Sequence, residues 1–181
     1  MFSGFLAVYV PYVYLPNMTQ KKGIEPESAA FIISLIGVSN TIGRVIIGAF
    51  VDLPWVSSLV VTNISLIMSG VCLLAFPFCY TYESFVVAAL FLGLFVSAFI
   101  SLTSIVLVDL LGLDSLTSSF GMLVLFRGVA SILGPPLAGL VYDMTQQYRL
   151  EYDASFYMAG GFFIFGGVLS FVAYFMNRNK M

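Results

Sequence analysis

The sequence has no histidine, only two cysteines among its 181 residues, and charged side chains at only 9% of positions. Without imidazole there is no His-based metal site, no Ser-His-Asp or Cys-His nucleophile and no ordinary near-neutral proton shuttle. Cys72 and Cys79 lie in apolar sequence, seven apart on one helical face. Cysteines so placed serve packing, so neither a disulfide framework nor a zinc knuckle is expected. Seven Lys+Arg against nine Asp+Glu give a net charge of −2, and no basic stripe exists to neutralise phosphates, so nucleic acid is excluded as a partner. No catalytic constellation stands out, and the chain is read as a non-enzyme that needs no cofactor and no metal. An average soluble domain is about 25% charged. A chain with 9% charged and 60% hydrophobic residues cannot be one. What is present is the material of a polytopic, all-α membrane protein.

A bilayer-crossing helix needs about 20 mostly apolar residues. That length gives six spans, at about 2–16, 29–51, 55–79, 84–108, 117–142 and 155–176. The stretches between them carry loop chemistry: Pro16-Asn17 through Glu27, Asp52-Leu53-Pro54, Tyr80 to Glu83, Asp109 to Ser115, and Asp143 to Asp153. The first span is short and carries Pro11. Met1-Phe2-Ser3 lacks the basic residue of a signal peptide, so this segment is read as a real span short of about its first turn, and the chain as the second part of something longer. Lysine and arginine are divided too evenly among the loops to orient the protein. Tyrosine, which favours the membrane interface, is more informative. Tyr12, Tyr14, Tyr80, Tyr82, Tyr142, Tyr148, Tyr152 and Tyr157 gather at the odd-numbered loops, which puts those loops on one face without saying which.

Span two ends Gly48-Ala49-Phe50-Val51-Asp52 and span five ends Gly139-Leu140-Val141-Tyr142-Asp143, the same Gly-x-x-x-Asp pattern 91 residues apart. Each of the two spans also carries one arginine, Arg44 and Arg127. Three-plus-three inverted repeats build transporter halves; the alternative is coincidence among glycines common in membrane helices. Arg44 either snorkels to the nearby interface or serves as a substrate-binding cation, since a guanidinium forks onto a carboxylate. Asn40 lies at i−4 on the same helical face. Arg127 is near the middle of its span and must face protein or water, either binding substrate or pairing with an acid on a helix outside this sequence. Gly134-Pro135-Pro136 breaks span five, as a simple kink or as a hinge or cavity wall. Gly37, Gly43 and Gly48 in span two, and Gly160-Gly161 and Gly166-Gly167 in span six, suit close helix packing. Asn17-Met18-Thr19 matches a glycosylation sequon hard against the membrane. Other six-span classes lack their marks: there is no Asn-Pro-Ala of a water channel, no Thr-Val-Gly-Tyr-Gly filter, no arginine at every third position and no Gly-x-Ser-Gly nucleophile.

The stretch Asp109-Leu-Leu-Gly-Leu-Asp-Ser-Leu-Thr-Ser-Ser-Phe-Gly121, followed by Leu125-Phe-Arg-Gly-Val-Ala, Gly134-Pro-Pro-Leu-Ala-Gly-Leu-Val-Tyr-Asp143 and Ser155-Phe-Tyr-Met-Ala-Gly160, resembles the C-terminal half of the monocarboxylate transporter family within the major facilitator superfamily. The resemblance runs along essentially the whole chain. It implies that residues 1–181 form helices seven to twelve of a twelve-helix plasma-membrane carrier, with the odd loops extracellular and Asp52-Leu53-Pro54 and the Asn177–Met181 tail cytoplasmic. It implies transport of small organic anions, monocarboxylates first, by alternating access against an N-terminal six-helix half. The implied partners are a carboxylate substrate, with or without a proton, the lipid bilayer and, for some relatives, a single-span ancillary glycoprotein. In that family the eighth helix carries an Asp-x-x-x-Arg pair whose arginine meets the substrate carboxylate and whose acid couples protons. Arg44 matches the arginine, whereas Asn40 stands in the acid's place and cannot titrate. Relatives often have Gln where Arg127 stands. The alternative function is that of a naturally short, non-transporting membrane protein that pairs with or regulates full-length relatives.

Overall fold

The computed structural model describes residues 2–51, 57–111, 116–145 and 151–178. Among them the chain is helical with no strand: α1 (Phe2–Val8), α2 (Val10–Lys21), α3 (Pro26–Val51), α4 (Ser58–Ala75), α5 (Tyr82–Leu111), α6 (Leu116–Thr145) and α7 (Glu151–Arg178), with a single 3-10 turn, Phe76–Phe78, closing α4. Five stretches are long and apolar enough to cross a membrane unbroken, within α3, α4 with its 3-10 turn, α5, α6 and α7. Together with the divided first span they give the six-helix count. This is a multi-pass membrane protein.

The first span departs from its expected form. It is two helices meeting at Tyr9 (φ −89°, ψ −12°), with Pro11 in the first turn of α2. A proline there has no N–H to return to the preceding turn, so the helix restarts rather than continues. Nor does the span end at Pro16. The helix runs on to Lys21, because an internal proline forfeits only one backbone bond; near its end the Thr19 hydroxyl donates to the Leu15 and Pro16 carbonyls, each at 2.9 Å. The Asn17-Met18-Thr19 sequon is therefore helical, with Thr19 buried, and is no loop. The expected break of span five at Gly134-Pro135-Pro136 is likewise absent, since α6 is continuous through both prolines. Inside a membrane bundle, packing against neighbouring helices lets a proline-containing helix continue; here the Tyr14 hydroxyl of α2 donates to the Pro135 carbonyl at 3.0 Å.

Helix association in lipid depends on close packing more than on burial of apolar area, since the tails are as apolar as leucine. The packing follows the 91-residue offset. α3 (span two) packs on α5 (span four), and α6 (span five) on α1 (span one). In the same way α4 (span three) packs on α5, and α7 (span six) on α1, while α4 and α7 face each other. The tightest approaches repeat as well. A Cβ on Gly43 would strike the Ser97 hydroxyl, and one on Gly134 would strike the Leu6 carbonyl; both partners are again 91 apart. At the α4–α7 seam, a Cβ on Gly70 would sit 2.8 Å from the Gly160 carbonyl, and one on Gly160 3.0 Å from the Gly70 carbonyl. Gly37, Gly48 and Gly161 have open space instead.

Aromatic rings fill the centre. Phe5 lies 4.7 Å from Phe99, which meets Phe163 edge-on at 6.1 Å. Phe76 joins Phe85 and Phe156 at 6.1 and 5.6 Å. The buried hydroxyls of Thr62, Ser65 and Ser69 bond their own helix, and Ser155 crosses from α7 to the Ala138 carbonyl at 2.9 Å. The core covers the helices unequally. The apolar stretch of α5 is 50% buried, whereas that of α3 is 28% and that of α6 only 17%. The two second helices of the triplets thus leave broad apolar faces uncovered.

Candidate functional site

α3 is begun by Pro26 and Glu27, residues suited to a helical first turn, and carries its polar residues on adjoining faces. Ser39 and Asn40 turn inward to α5. The Ser39 hydroxyl donates to the Leu90 carbonyl at 2.6 Å, and the Asn40 amide nitrogen to the Gly93 carbonyl at 3.4 Å. α5 can come this close because Gly93 has no side chain: a Cβ there would lie 2.6 Å from the Ile36 carbonyl oxygen. One turn on, Arg44 Nε donates to Asn40 Oδ1 at 3.0 Å, and the Arg44 side chain is exposed on the uncovered side of α3. Both ends of the Asn40 amide are thus engaged, one by α5 and one by Arg44.

Arg127 occupies a different setting. It is half-buried in α6, and its guanidinium carbon lies 5.2 Å from the centre of the Phe5 ring on α1, a cation–π arrangement. Phe5 is the end of the Phe5–Phe99–Phe163 stack, so the aromatic core steadies this cation. Gly134 is buried against Leu6, Pro135 accepts from Tyr14, and Gly139 faces the same Tyr14 hydroxyl. Asp143 lies in the last turn of α6 and Gly48 near the end of α3, whereas Asp52 lies outside the described residues. The structure therefore joins Asn40 to Arg44, and joins Gly134, Pro135 and Gly139 to α1–α2. No contact between Arg44 and Arg127 is present among the described residues.

Cys72 and Cys79 are both half-buried free thiols. Cys72 borders an open groove of about 530 Å³ between α4 and α5, shared with Glu83, Val87 and Phe91. None of the residues singled out for anion binding lines it. No group of acids and thiols suited to a metal ion occurs among the described residues.

The profile of the Major Facilitator Superfamily matches residues 1–180. The chain belongs to that superfamily. It is 33% identical over 166 residues to monocarboxylate transporter 9 of Gallus gallus, covering 91% of this chain and 32% of the relative. It is 32% identical over 169 residues to monocarboxylate transporter 14 of Mus musculus, covering 91% and 31%. It is 29% identical over 174 residues to monocarboxylate transporter 10 of Rattus norvegicus, covering 95% and 33%. The chain spans about a third of the length of these relatives. Within a major facilitator protein, the uncovered faces of α3 and α6 and the arginine borne by each are the features for a function to explain.

Sequence reasoning found Arg44 and Asn40 but took both as substrate contacts. The anchoring of Asn40 on Gly93 has no local signal in the sequence: a carbonyl partner 53 residues away is created by the helix crossing.

Proposed function

We propose that this chain is one wall of a carrier that moves small carboxylate anions across the plasma membrane by alternating access, with α3 and α6 facing a second six-helix half. The observation that carries the reading is the Arg44–Asn40 pair. Arg44 is fixed through Nε alone, and its terminal guanidinium nitrogens, the ones that fork onto a carboxylate, make no hydrogen bond among the described residues. Asn40 is assigned as the holder of Arg44, since both ends of its amide are engaged, one by α5 and one by Arg44. Arg127, steadied on Phe5, is assigned as a second cation bordering the path. The Gly134–Pro136 turn is assigned as cavity wall, braced by Leu6 and Tyr14. The relatives named monocarboxylate transporters support the substrate class.

The pair also bears on coupling. An asparagine beside Arg44 cannot release a proton, so the cation stays uncompensated there and the anion alone balances it. Facilitated diffusion fits this arrangement better than symport through this pair. The test is uptake of radiolabelled monocarboxylates by cells expressing the complete protein and its Arg44→Ala variant. Saturable uptake lost at unchanged surface level supports the assignment; normal uptake by Arg44→Ala removes it. The size of the native protein on a blot distinguishes the remaining possibility: a product near 19.8 kDa points to a pairing or regulatory protein instead.

A further inference from the structure

A second cationic cluster lies where α2 turns into α3, outside the Arg44 region. Lys22 closes α2, its backbone N–H donating to the Met18 and Thr19 carbonyls at 3.2 and 3.1 Å. Gly23 then reverses the chain at φ +85°, a conformation that a side chain rarely adopts. The Lys22 ammonium reaches the C-terminal end of α4. It donates to the Pro77 carbonyl at 2.6 Å and the Cys79 carbonyl at 2.8 Å. These belong to the 3-10 turn closing α4 and the residue after it, where carbonyls run out of helical partners and the helix dipole is negative. The ammonium also lies 4.7 Å from the Tyr80 ring centre and 5.5 Å from that of Phe85. Burial pulls its pKa below the ordinary lysine value, while the Asp153 carboxylate and Cys79 act in the opposite sense. The neighbouring Lys21 points elsewhere, over the Tyr142 ring of α6 at 5.9 Å.

The end of α2 is therefore held from two sides, while its beginning is the break at Tyr9. Between them, α2 is a short lever. α2 packs on α3, the helix that bears Arg44, and Tyr14 bonds the Pro135 carbonyl of α6. We propose that Lys22 is the tether that sets the pose of α2 against the α4–α5 turn, and so acts as a positioning residue for the anion site by fixing how α2 packs on α3, which bears Arg44, and on α6. The proposal rests on the reading of Arg44 as the anion anchor. Lys22 touches no substrate; it acts through the helix it anchors.

The test uses the complete carrier in membranes, with Lys22→Met and Lys22→Arg, and two readouts. Hydrogen exchange of the segment Phe76–Tyr82 reports the tether itself, and the KM and maximal rate of carboxylate uptake report the site. For Lys22→Met, exchange in Phe76–Tyr82 is expected to rise roughly fivefold with the α4 interior unchanged. Its KM should rise about threefold or more at a near-constant maximal rate. Lys22→Arg, which keeps the cation, should restore both. Tyr80→Leu removes one aromatic face from an exposed position and should shift both readouts the same way, which covers the case in which Lys22→Met does not fold. Unchanged exchange in both variants overturns the tether. Faster exchange with a wild-type KM overturns the positioning role. If the wild-type carrier takes up no carboxylate, the anion-site reading falls and the positioning role with it, while the exchange data still decide the tether.

Discussion

At the scale of single residues, a charge in a membrane protein is defined by what its neighbours leave unspent. Arg44 keeps its terminal nitrogens because Asn40 engages only Nε. Arg44→Lys should therefore raise the KM for uptake by the loss of about one charge-assisted hydrogen bond, roughly 1.5–3 kcal/mol. Asn40→Asp would place a carboxylate against the guanidinium and cancel its charge at neutral pH. Protonating that acid frees Arg44 again, so the variant's uptake should rise as pH falls while the wild type stays nearly flat; equal pH profiles for the two proteins would contradict this. Asn63 is the opposite case. It is buried in α4, and neither its amide oxygen nor its nitrogen bonds another described residue. Since an unmatched buried amide costs more than an apolar group of like shape, Asn63→Leu should stabilise the protein by about 1–2 kcal/mol, readable as a higher unfolding temperature in detergent.

Elements are set by where the backbone tolerates another helix. Adjacent glycines in α7 make the point: Gly160 lies against the Gly70 carbonyl and the Leu74 side chain, whereas Gly161 has open space. Gly160→Ala should destabilise by roughly 1–3 kcal/mol, while Gly161→Ala should be neutral or slightly stabilising. Thermal unfolding of the two variants side by side checks the contrast. The equivalent approaches at Gly43 and Gly134 differ in kind. At Gly43 the nearest obstacle is a serine hydroxyl, so Gly43→Ala should be rescued in part by Ser97→Ala, with the Ser97 Cβ at 3.1 Å and the Leu94 Cα at 3.3 Å still to be accommodated. At Gly134 the obstacle is the Leu6 backbone carbonyl, so no side-chain change should rescue Gly134→Ala.

For the whole molecule, the unequal covering of the helices is the informative quantity. Val45 on α3 is 72% exposed and Ile132 on α6 is 73% exposed, apolar positions on the two least-covered helices. If these faces meet the other half of a carrier, the segments around Val45 and Ile132 should be labelled readily by a photoactivated, lipid-dissolved carbene probe when the 181-residue chain is expressed alone. Both should be protected in the complete protein. Equal labelling in the two settings would assign the faces to lipid. The six-helix unit by itself should give no saturable uptake, because alternating access needs two walls around the site.

The sequence alone determined the class of the molecule. The scarcity of charge and the six apolar runs follow from what lipid demands of every segment, and each is a local property of the chain. It also marked Arg44, because an arginine in an apolar helix is conspicuous wherever it packs. Tertiary structure alone decided what those residues touch. Proline signals predicted a first span ending at Pro16 and a broken fifth, yet α2 runs to Lys21 and α6 is continuous, because an internal proline forfeits one ladder bond without ending the helix and packed neighbours such as Tyr14, which bonds the Pro135 carbonyl, hold the segment in place. Asn40 became a holder of Arg44, and Lys22 a bridge to Pro77 and Cys79, only once crossings brought carbonyls 53 to 57 residues away into reach. Local sequence carries no trace of such partners, since hydrogen bonds across a bundle depend on the distance between helix axes, and glycines at the crossings set that distance.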